Sequence, residues 1–486
     1  MKYIINRHYQ LRGWYQSPTG LFDKRTKAAE FFPKEQYLLL LRCNGVDEID
    51  ENSLTEENKS FLSWLKKKEI IQEAGFLDFL LPEQEYKTYP ARYRKHVHWS
   101  ITGACNLKCR HCFMSAPHAK HGVPTKEQLL RVIDQLAECG IFTVGITGGE
   151  PLMREDFFEI VDALAEKEIA ITVIFTNGWV VNEALLDKLE ERHMHPNFQL
   201  SFDGIGQHDF LRGVPGAEEK TINVLKLLQQ RHYNVSVSMC MHRGNRSTLR
   251  DTVKLMASLG VRSMKCGRMM ELGEWTEKEV RDLQLTREEE LEMFEEYIPQ
   301  YFEDDAPLSI MMADTLMYTP GDSKWRIYDV RRVPEEKAKY APSCGVLLKN
   351  FYIGADGMVA PCMGMCDTGF AKKFPNLFET PLRDIMHDSE LTTLCEATVE
   401  EVRNHNPECR SCKYVDRCTG GCRNSVLTQG DDYYGIDKKL CYFFENGWEE
   451  RITKAAEEPF REYLKRNPSK NTERKEVSEQ EEDPYL

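Results

Sequence analysis

Cys105, Cys109 and Cys112 stand close together directly after an apolar run, His98-Trp99-Ser100-Ile101-Thr102. A loop this short can wrap three thiolates around one face of a small inorganic cluster. A tetrahedral zinc site needs a fourth protein ligand close by, whereas a [4Fe–4S] cube held by three cysteines keeps one iron open for a substrate or cofactor. The competing readings are three thiols in a plain loop, or part of a zinc site.

The chain has 486 residues, enough for two or three domains with cores of their own. No run of about 18 apolar residues occurs, so no membrane span is expected. The start, from Met1 to His8, lacks the apolar core of a signal peptide, which points to the cytoplasm, where thiols stay reduced. Sixteen cysteines in that setting read as cluster ligands rather than disulfides. A net charge of −14 argues against a general nucleic-acid binder.

From residue 96 to about 270, strand and helix patterns alternate. Strands are expected at His96–Thr102, Ile141–Thr147, Ile171–Thr176, Asn197–Asp203, Val235–Met241 and Val261–Gly267. Helices are expected at Lys126–Cys139, Phe157–Glu166, Glu183–Arg192, Lys220–Arg231, Leu249–Leu259 and Glu289–Tyr301. Six β-α repeats imply a parallel sheet curled into a partial (β/α)6 TIM-like barrel, whose reactive groups sit at the strand C-termini. The cysteine loop follows the first strand, as that rule requires.

Other strand ends carry Thr147-Gly148-Gly149-Glu150-Pro151, Thr176-Asn177-Gly178, Ser201-Phe202-Asp203-Gly204 and, a little further, Leu211-Arg212-Gly213. Together with the cysteine triplet these segments resemble the radical SAM superfamily. The resemblance implies that Cys105, Cys109 and Cys112 hold a [4Fe–4S] cluster whose open iron chelates S-adenosylmethionine. Reductive cleavage of that cofactor then releases a 5′-deoxyadenosyl radical. It further implies that Gly148, Gly149 and Glu150 bind the methionyl amino group, with Glu150 as acceptor. Asn177 and Ser201 match positions that meet the ribose or methionyl part, and Arg212 matches an arginine near the cofactor carboxylate. The plainer alternatives are an Asn in a turn and an Arg on a helix surface. Glu271-Leu272-Gly273 resembles a barrel-closing turn.

Farther on, Cys344 and Cys362 bracket Phe351–Pro361, where Ala355-Asp356-Gly357 reads as a hairpin turn that brings the two thiols together. Cys409, Cys412, Cys418, Cys422 and Cys441 follow. This pattern resembles the SPASM domain of radical SAM enzymes, over about residues 340 to 445. The resemblance implies two auxiliary [4Fe–4S] clusters, one on Cys344, Cys362 and Cys422, the other on Cys409, Cys412, Cys418 and Cys441. The first then needs Cys366 or leaves an iron open. Two structural zinc sites are the rival reading. Cys43, Cys139, Cys240, Cys266 and Cys395 lie in apolar segments and are expected to be inert core residues.

Before the barrel, Phe31–Cys43 and the stretch from Ser53 to Lys68 read as helices, and Ile70–Glu73 with Phe76–Leu81 as a paired wing. This weakly resembles the winged-helix peptide-recognition domain fused to many peptide-modifying relatives; a plain extension of the barrel is the alternative. The expected organisation is residues 1–95 winged-helix-like, 96–325 barrel, 326–460 auxiliary-cluster domain, and 461–486 a disordered, charged tail.

The implied function is a radical modification of a ribosomally made peptide or protein side chain: a cross-link, a thioether or an oxidation. The expected partners are that precursor and an electron donor such as flavodoxin or ferredoxin. An enzyme acting on a small molecule or cofactor precursor is the second class, and a non-enzymatic iron–sulfur electron carrier the third. Sulfatase-maturing relatives carry an Asp directly after the position of Cys362; Met363 stands there in this chain and the nearest acid is Asp367. That departure weighs against sulfatase maturation.

Overall fold

The computed structural model describes residues 1–269, 272–276, 278–328, 330–430 and 432–468. Seven N-terminal strands, β1 (Lys2–Ile5), β2 (Tyr9–Tyr15), β3 (Ser17–Asp23), β4 (Ala28–Phe31), β5 (Asn44–Glu48), β6 (Ile71–Glu73) and β7 (Lys87–Arg92), form two sheets. The three-stranded sheet, ordered β5-β1-β6, is antiparallel. Helices Lys34–Leu41 and Glu56–Lys67 cover it, with Leu39, Leu40, Leu62 and Leu65 in a core of its own. Thr55 caps the second helix by accepting from the Asn58 amide, and Lys66 and Lys67 sit at its negative end.

The expected wing does not form. β6 pairs with β1, while residues 76–81 belong to no strand and leave Phe76, Leu77 and Phe79 exposed. A turn is the reason: the Gly75 amide donates to the Asp78 carboxylate at 2.7 Å, and the Asp78 amide donates back to Gly75 O. The first helix is also shorter than expected, because Pro33 sets its start.

The second sheet, β4-β3-β2-β7, docks on the barrel. Trp14 Nε1 donates to Gly140 O at 3.2 Å, and the Phe22 and Phe142 rings meet at 4.6 Å.

The central sheet has ten strands. β8 (His96–Ser100), β9 (Thr143–Thr147), β10 (Ala170–Thr176), β11 (Asn197–Ser201), β12 (Val235–Met241) and β13 (Ser263–Arg268) are the six expected parallel strands, in sequence order. β14 (Ser309–Met312) continues the parallel run and β15 (Leu316–Tyr318) turns back. On the other edge, β16 (Asn350–Ile353) pairs parallel with β8, and β17 (Val359–Ala360) closes a hairpin on it. The cysteine-rich region therefore shares a sheet with the barrel rather than following it as a separate layer.

Side chains alternate along these strands. Val97, Trp99, Leu200, Val237, Met264 and Cys266 point outward into the main core beneath the helices. Their neighbours His98, Gln199, Ser201, Ser238 and Lys265 face the inside of the curl and are only partly covered. The inner face is polar, unlike the filled centre of a closed barrel.

The last helix, Trp448–Arg466, packs along Arg287–Glu303, with Phe460 against Phe302 at 5.2 Å. The expected tail from residue 461 is thus helical through Arg466; residues 469–486 lie outside the described residues. So does Glu271, the first residue of the expected closing turn; of the other two, Gly273 has a positive φ and opens a short 3-10 turn, Gly273–Thr276.

Candidate active site

The cysteine loop is built by main-chain contacts between strand ends. Beyond β8, Ile101 N donates to Thr147 O at 3.0 Å, Gly149 N to Thr102 O at 2.8 Å and Glu150 N to Ala104 O at 2.9 Å. These contacts explain both glycines. A Cβ on Gly149 would lie 2.0 Å from Ala104 O; one on Gly148, whose φ is +143°, would lie 2.3 Å from Thr102 O. The close approach is to the backbone leading into Cys105.

The Glu150 side chain, expected to accept from the cofactor's amino group, is enclosed by donors of the chain itself. It is fully buried, and its carboxylate accepts from Thr176 Oγ1 at 2.7 Å, the Asn177 amide at 2.8 Å and the Leu152 amide at 3.2 Å. Burial raises its pKa to about 7 against the pull of these donors. Glu150 ties the ends of β9 and β10 together.

Asn177 reaches the cysteine loop directly. Its Nδ2 donates to Asn106 Oδ1 at 2.9 Å and approaches Cys105 Sγ at 3.7 Å. Its Oδ1 accepts from the Trp179 amide. Arg212 is buried on the other side of the loop, with Nε on Asp203 Oδ2 at 2.8 Å and Nη1 3.7 Å from Cys109 Sγ. Asp203 is fully buried and held ionised against that burial by Arg212, then by His208 and His111. His111, Asp203 and Cys240 offer ligand-type atoms within 4.8 Å of one another, but the cation already on Asp203 is Arg212. Ser201 ends β11 on the inner face, in register with Ser238.

The three thiols fit a cluster by their donors as well as their spacing. Leu107 N donates to Cys105 Sγ at 3.4 Å and Ala116 N to Cys112 Sγ at 3.3 Å. With Asn177 and Arg212, polar hydrogens are aimed at all three sulfurs, which is what cluster thiolates need. Burial pushes the Cys105 thiol up to about 12, an unfavourable charge that iron coordination would offset.

In the cysteine-rich region, Cys418 lies under the influence of Cys409 and Cys412, and Cys441 under that of Cys418 and Cys409, so these four gather in one place. Gly420 N donates to Cys418 Sγ at 3.3 Å and Tyr414 N to Cys412 Sγ at 3.5 Å. Cys344 and Cys362 are neighbours across the β16–β17 hairpin, and the buried Cys366 lies beside Cys362. Cys422 opens the helix Arg423–Gln429, and its amide donates to Asp437 at 3.1 Å. It faces Arg268 at the end of β13.

Residues 99–256 match the radical SAM superfamily, and residues 344–413 match the SPASM iron–sulfur cluster-binding domain. The chain is a radical SAM enzyme with a SPASM domain. This radical SAM/SPASM enzyme is 24% identical over 426 residues to the antilisterial bacteriocin subtilosin biosynthesis protein AlbA of Bacillus subtilis, covering 85% of this chain and 84% of AlbA. It is 25% identical over 366 residues to an AdoMet-dependent heme synthase of Methanosarcina barkeri, covering 69% of this chain and 93% of that protein. In fold it is similar to Streptococcus suis SuiB bound to S-adenosylmethionine, with a TM-score of 0.60 at 15% identity over 90% of this chain and 99% of SuiB. The complex of SuiB with its precursor peptide SuiA gives a TM-score of 0.59 at 14% identity, again over 90% of this chain and 99% of SuiB.

Several residues of the radical SAM domain escaped the sequence reading. Cys240, expected to be inert, stands beside Asp203, Arg212 and Cys109, and its amide donates to Asp203. Cys43, Cys139, Cys266 and Cys395 are buried, as expected. Asp203 itself was legible: an acid at a strand end, nine residues before an Arg that packs against it. His121 left no local signal. Its ring bridges Asp356 and Asp367 at 3.2 Å each, joining the loop after Cys112 to the SPASM hairpin.

Proposed function

We propose that this enzyme modifies a side chain of a ribosomally made peptide or protein, forming a cross-link, a thioether or an oxidised product. The observation that carries the reading is the pairing of β16 with β8. It sets the Cys344–Cys362 hairpin and the Cys105 loop on neighbouring strands, with a polar, partly open barrel interior beside both. When bound, the cluster on Cys105, Cys109 and Cys112 and S-adenosylmethionine supply a hydrogen-abstracting 5′-deoxyadenosyl radical.

The chain's own residues do the rest. Asn177, Arg212 and the main chain of Gly148 and Gly149 fix the loop and its thiolates. In this reading Ser201 on the inner face meets the cofactor's ribose or methionyl part. Cys344, Cys362 and Cys422, completed by Cys366 or an open position, hold one auxiliary [4Fe–4S] cluster; Cys409, Cys412, Cys418 and Cys441 hold a second. The auxiliary sites accept an electron from, or grip, the substrate. Residues 1–95, with a separately cored sheet and an exposed apolar loop at Phe76–Phe79, supply the surface for the precursor. AlbA and SuiB support a peptide substrate; flavodoxin or ferredoxin is the matching electron donor.

The test uses anaerobically reconstituted protein carrying about twelve iron atoms, the content of three cubes. It is incubated with reductant, S-adenosylmethionine and a short precursor-type peptide, taken from any small open reading frame found beside its gene. The expected result is 5′-deoxyadenosine release together with a mass change in the peptide. Stoichiometric zinc with about four irons would remove the auxiliary clusters from this account. The similarity to the heme synthase supports a second reading, a porphyrin-type substrate. Turnover of an iron porphyrin with no change in the peptide would establish that reading instead.

A further inference from the structure

Lys265 sits in the middle of β13, between Met264 and Cys266, both buried in the core under the helices. The alternation turns its side chain to the inside of the barrel, where it remains exposed. In register it stands between Ser238 on β12 and Met311 on β14, and Ser238 stands beside Ser201 on β11. Its charge is felt across the interior by His98 on β8, by Cys240 and by Cys362. The ammonium group therefore faces the interior that His98, Cys240 and Cys362 also border, in the strand layer of Ser238 and Ser201.

The neighbouring cations differ from it. Arg212 is held by Asp203 at 2.8 Å and Arg268, three residues along the same strand, by Asp314 at 2.6 Å. Among the described residues no carboxylate lies within ion-pair reach of Lys265. The chain as a whole has 78 acids against 64 bases, so an unpaired lysine inside it is not explained by a shortage of carboxylates. A mid-strand lysine is poorly suited to a sheet and loses side-chain freedom when ordered, so its position asks for a ligand.

We propose that Lys265 is a carboxylate-binding residue of the barrel interior: the molecule held between the radical and auxiliary cysteines presents a carboxylate to it. Two molecules carry that chemistry, the substrate, through an acidic side chain or chain terminus, and the methionyl end of the cofactor. The inference rests on the proposed radical modification for what enters the barrel. Ser201 and Ser238 add hydroxyl donors in the same layer. An ammonium on a flexible stem suits a carboxylate as a point charge and tolerates several approach angles.

The test is acetylation of wild-type holoenzyme by a water-soluble succinimidyl ester, with Lys265 read by peptide mass mapping and exposed Lys34 as reference. Three additions are compared: S-adenosylmethionine, a capped Gly-Glu-Gly tripeptide and its Gly-Gln-Gly counterpart. Protection of Lys265 by the Glu tripeptide, several-fold beyond the Gln one and without effect on Lys34, establishes the substrate as the source. Protection by S-adenosylmethionine alone, together with weaker cofactor binding in Lys265→Met and rescue in Lys265→Arg, establishes the cofactor. Equal or absent protection by all three additions, with unchanged cofactor binding in Lys265→Met, overturns the proposal. Release of 5′-deoxyadenosine by the same unlabelled preparation is measured alongside. If that fails, the radical reading falls, and the labelling result still stands by itself.

Discussion

The two cysteine systems are held in different ways. Cys105, Cys109 and Cys112 come from one loop pinned by the ends of β8, β9 and β10, with Glu150 as the central clamp. The cysteines proposed for the auxiliary clusters are drawn from Cys344 to Cys441, through four-residue helices such as Pro407–Arg410 and turns such as Val415–Arg417, and Cys412 and Cys422 are exposed. A loop fixed by a sheet keeps its shape whether or not metal is present. Ligands gathered from short, weakly cooperative pieces depend on the metal for theirs.

The largest effect expected is from replacing Cys105, Cys109 and Cys112 together by Ala. Release of 5′-deoxyadenosine should vanish and iron should fall by about four of about twelve atoms, with the melting temperature nearly unchanged. Loss of all the iron would mean that the two systems are not independent, and the contrast would break.

Metal removal is the next test. In chelated protein, hydrogen exchange should accelerate strongly across residues 399–441 while strands β9 to β13 stay protected. Uniform protection in both regions would show that the SPASM turns are self-sufficient; uniform loss would show that the barrel needs its cluster.

Legibility in the sequence follows the same division. Val235–Met241 and Phe157–Glu166 have the bounds read from periodicity, because burial against neighbouring elements imposes period and length together. β2 and β3 were invisible. Pro18 and Gly20 interrupt the second of them, and the turn between them rests on Gln16 at φ 64° rather than on a glycine. The pairing of β16 with β8 is non-local, so no local pattern announces it. The site motifs were found by their spacing, but spacing could not tell which glycines serve a ligand and which serve the neighbouring loop. Nor could it say that Glu150 is enclosed.

That enclosure gives a third, smaller prediction. Glu150→Gln turns one acceptor into a donor facing Thr176, Asn177 or Leu152, leaving a buried group unpaired at a cost of about 1–3 kcal/mol. Urea denaturation of cluster-free protein should show it. If stability is unchanged and only cofactor binding weakens, the side chain acts on the ligand after all and the clamp is elsewhere.

The smallest effect tests the seam between the two systems. His121 Nδ1 lies 3.2 Å from Asp356 and Nε2 3.2 Å from Asp367, and Lys120 also pairs with Asp367. Both ring nitrogens can donate only when the imidazole is protonated. Hydrogen bonds to Asp356, then Asp367, raise the His121 pKa from 6.5 to about 9 against the effect of burial. A group whose pKa is raised by folding contributes its full stability below its unfolded value, near 6.5, and loses it as pH climbs through about 9. The two carboxylates, lowered by the same contacts, lose theirs only as pH falls toward the usual carboxylate range. Asp356 is a third exposed, so solvent screens part of the interaction, and a contribution of about 1 kcal/mol is the reasonable scale. His121→Gln should therefore destabilise cluster-free protein at pH 6 and converge on wild type toward pH 9. Thiols released on unfolding also titrate toward the upper end of this range, but their contribution is common to both proteins and cancels in the difference. Urea midpoints at pH 6 and pH 9 measure it: parallel pH profiles for the two proteins would mean that the His121 bridge carries no proton-linked stability. The seam would then rest on the pairing of β16 with β8, the Lys120–Asp367 pair and the shared core rather than on a charged imidazole.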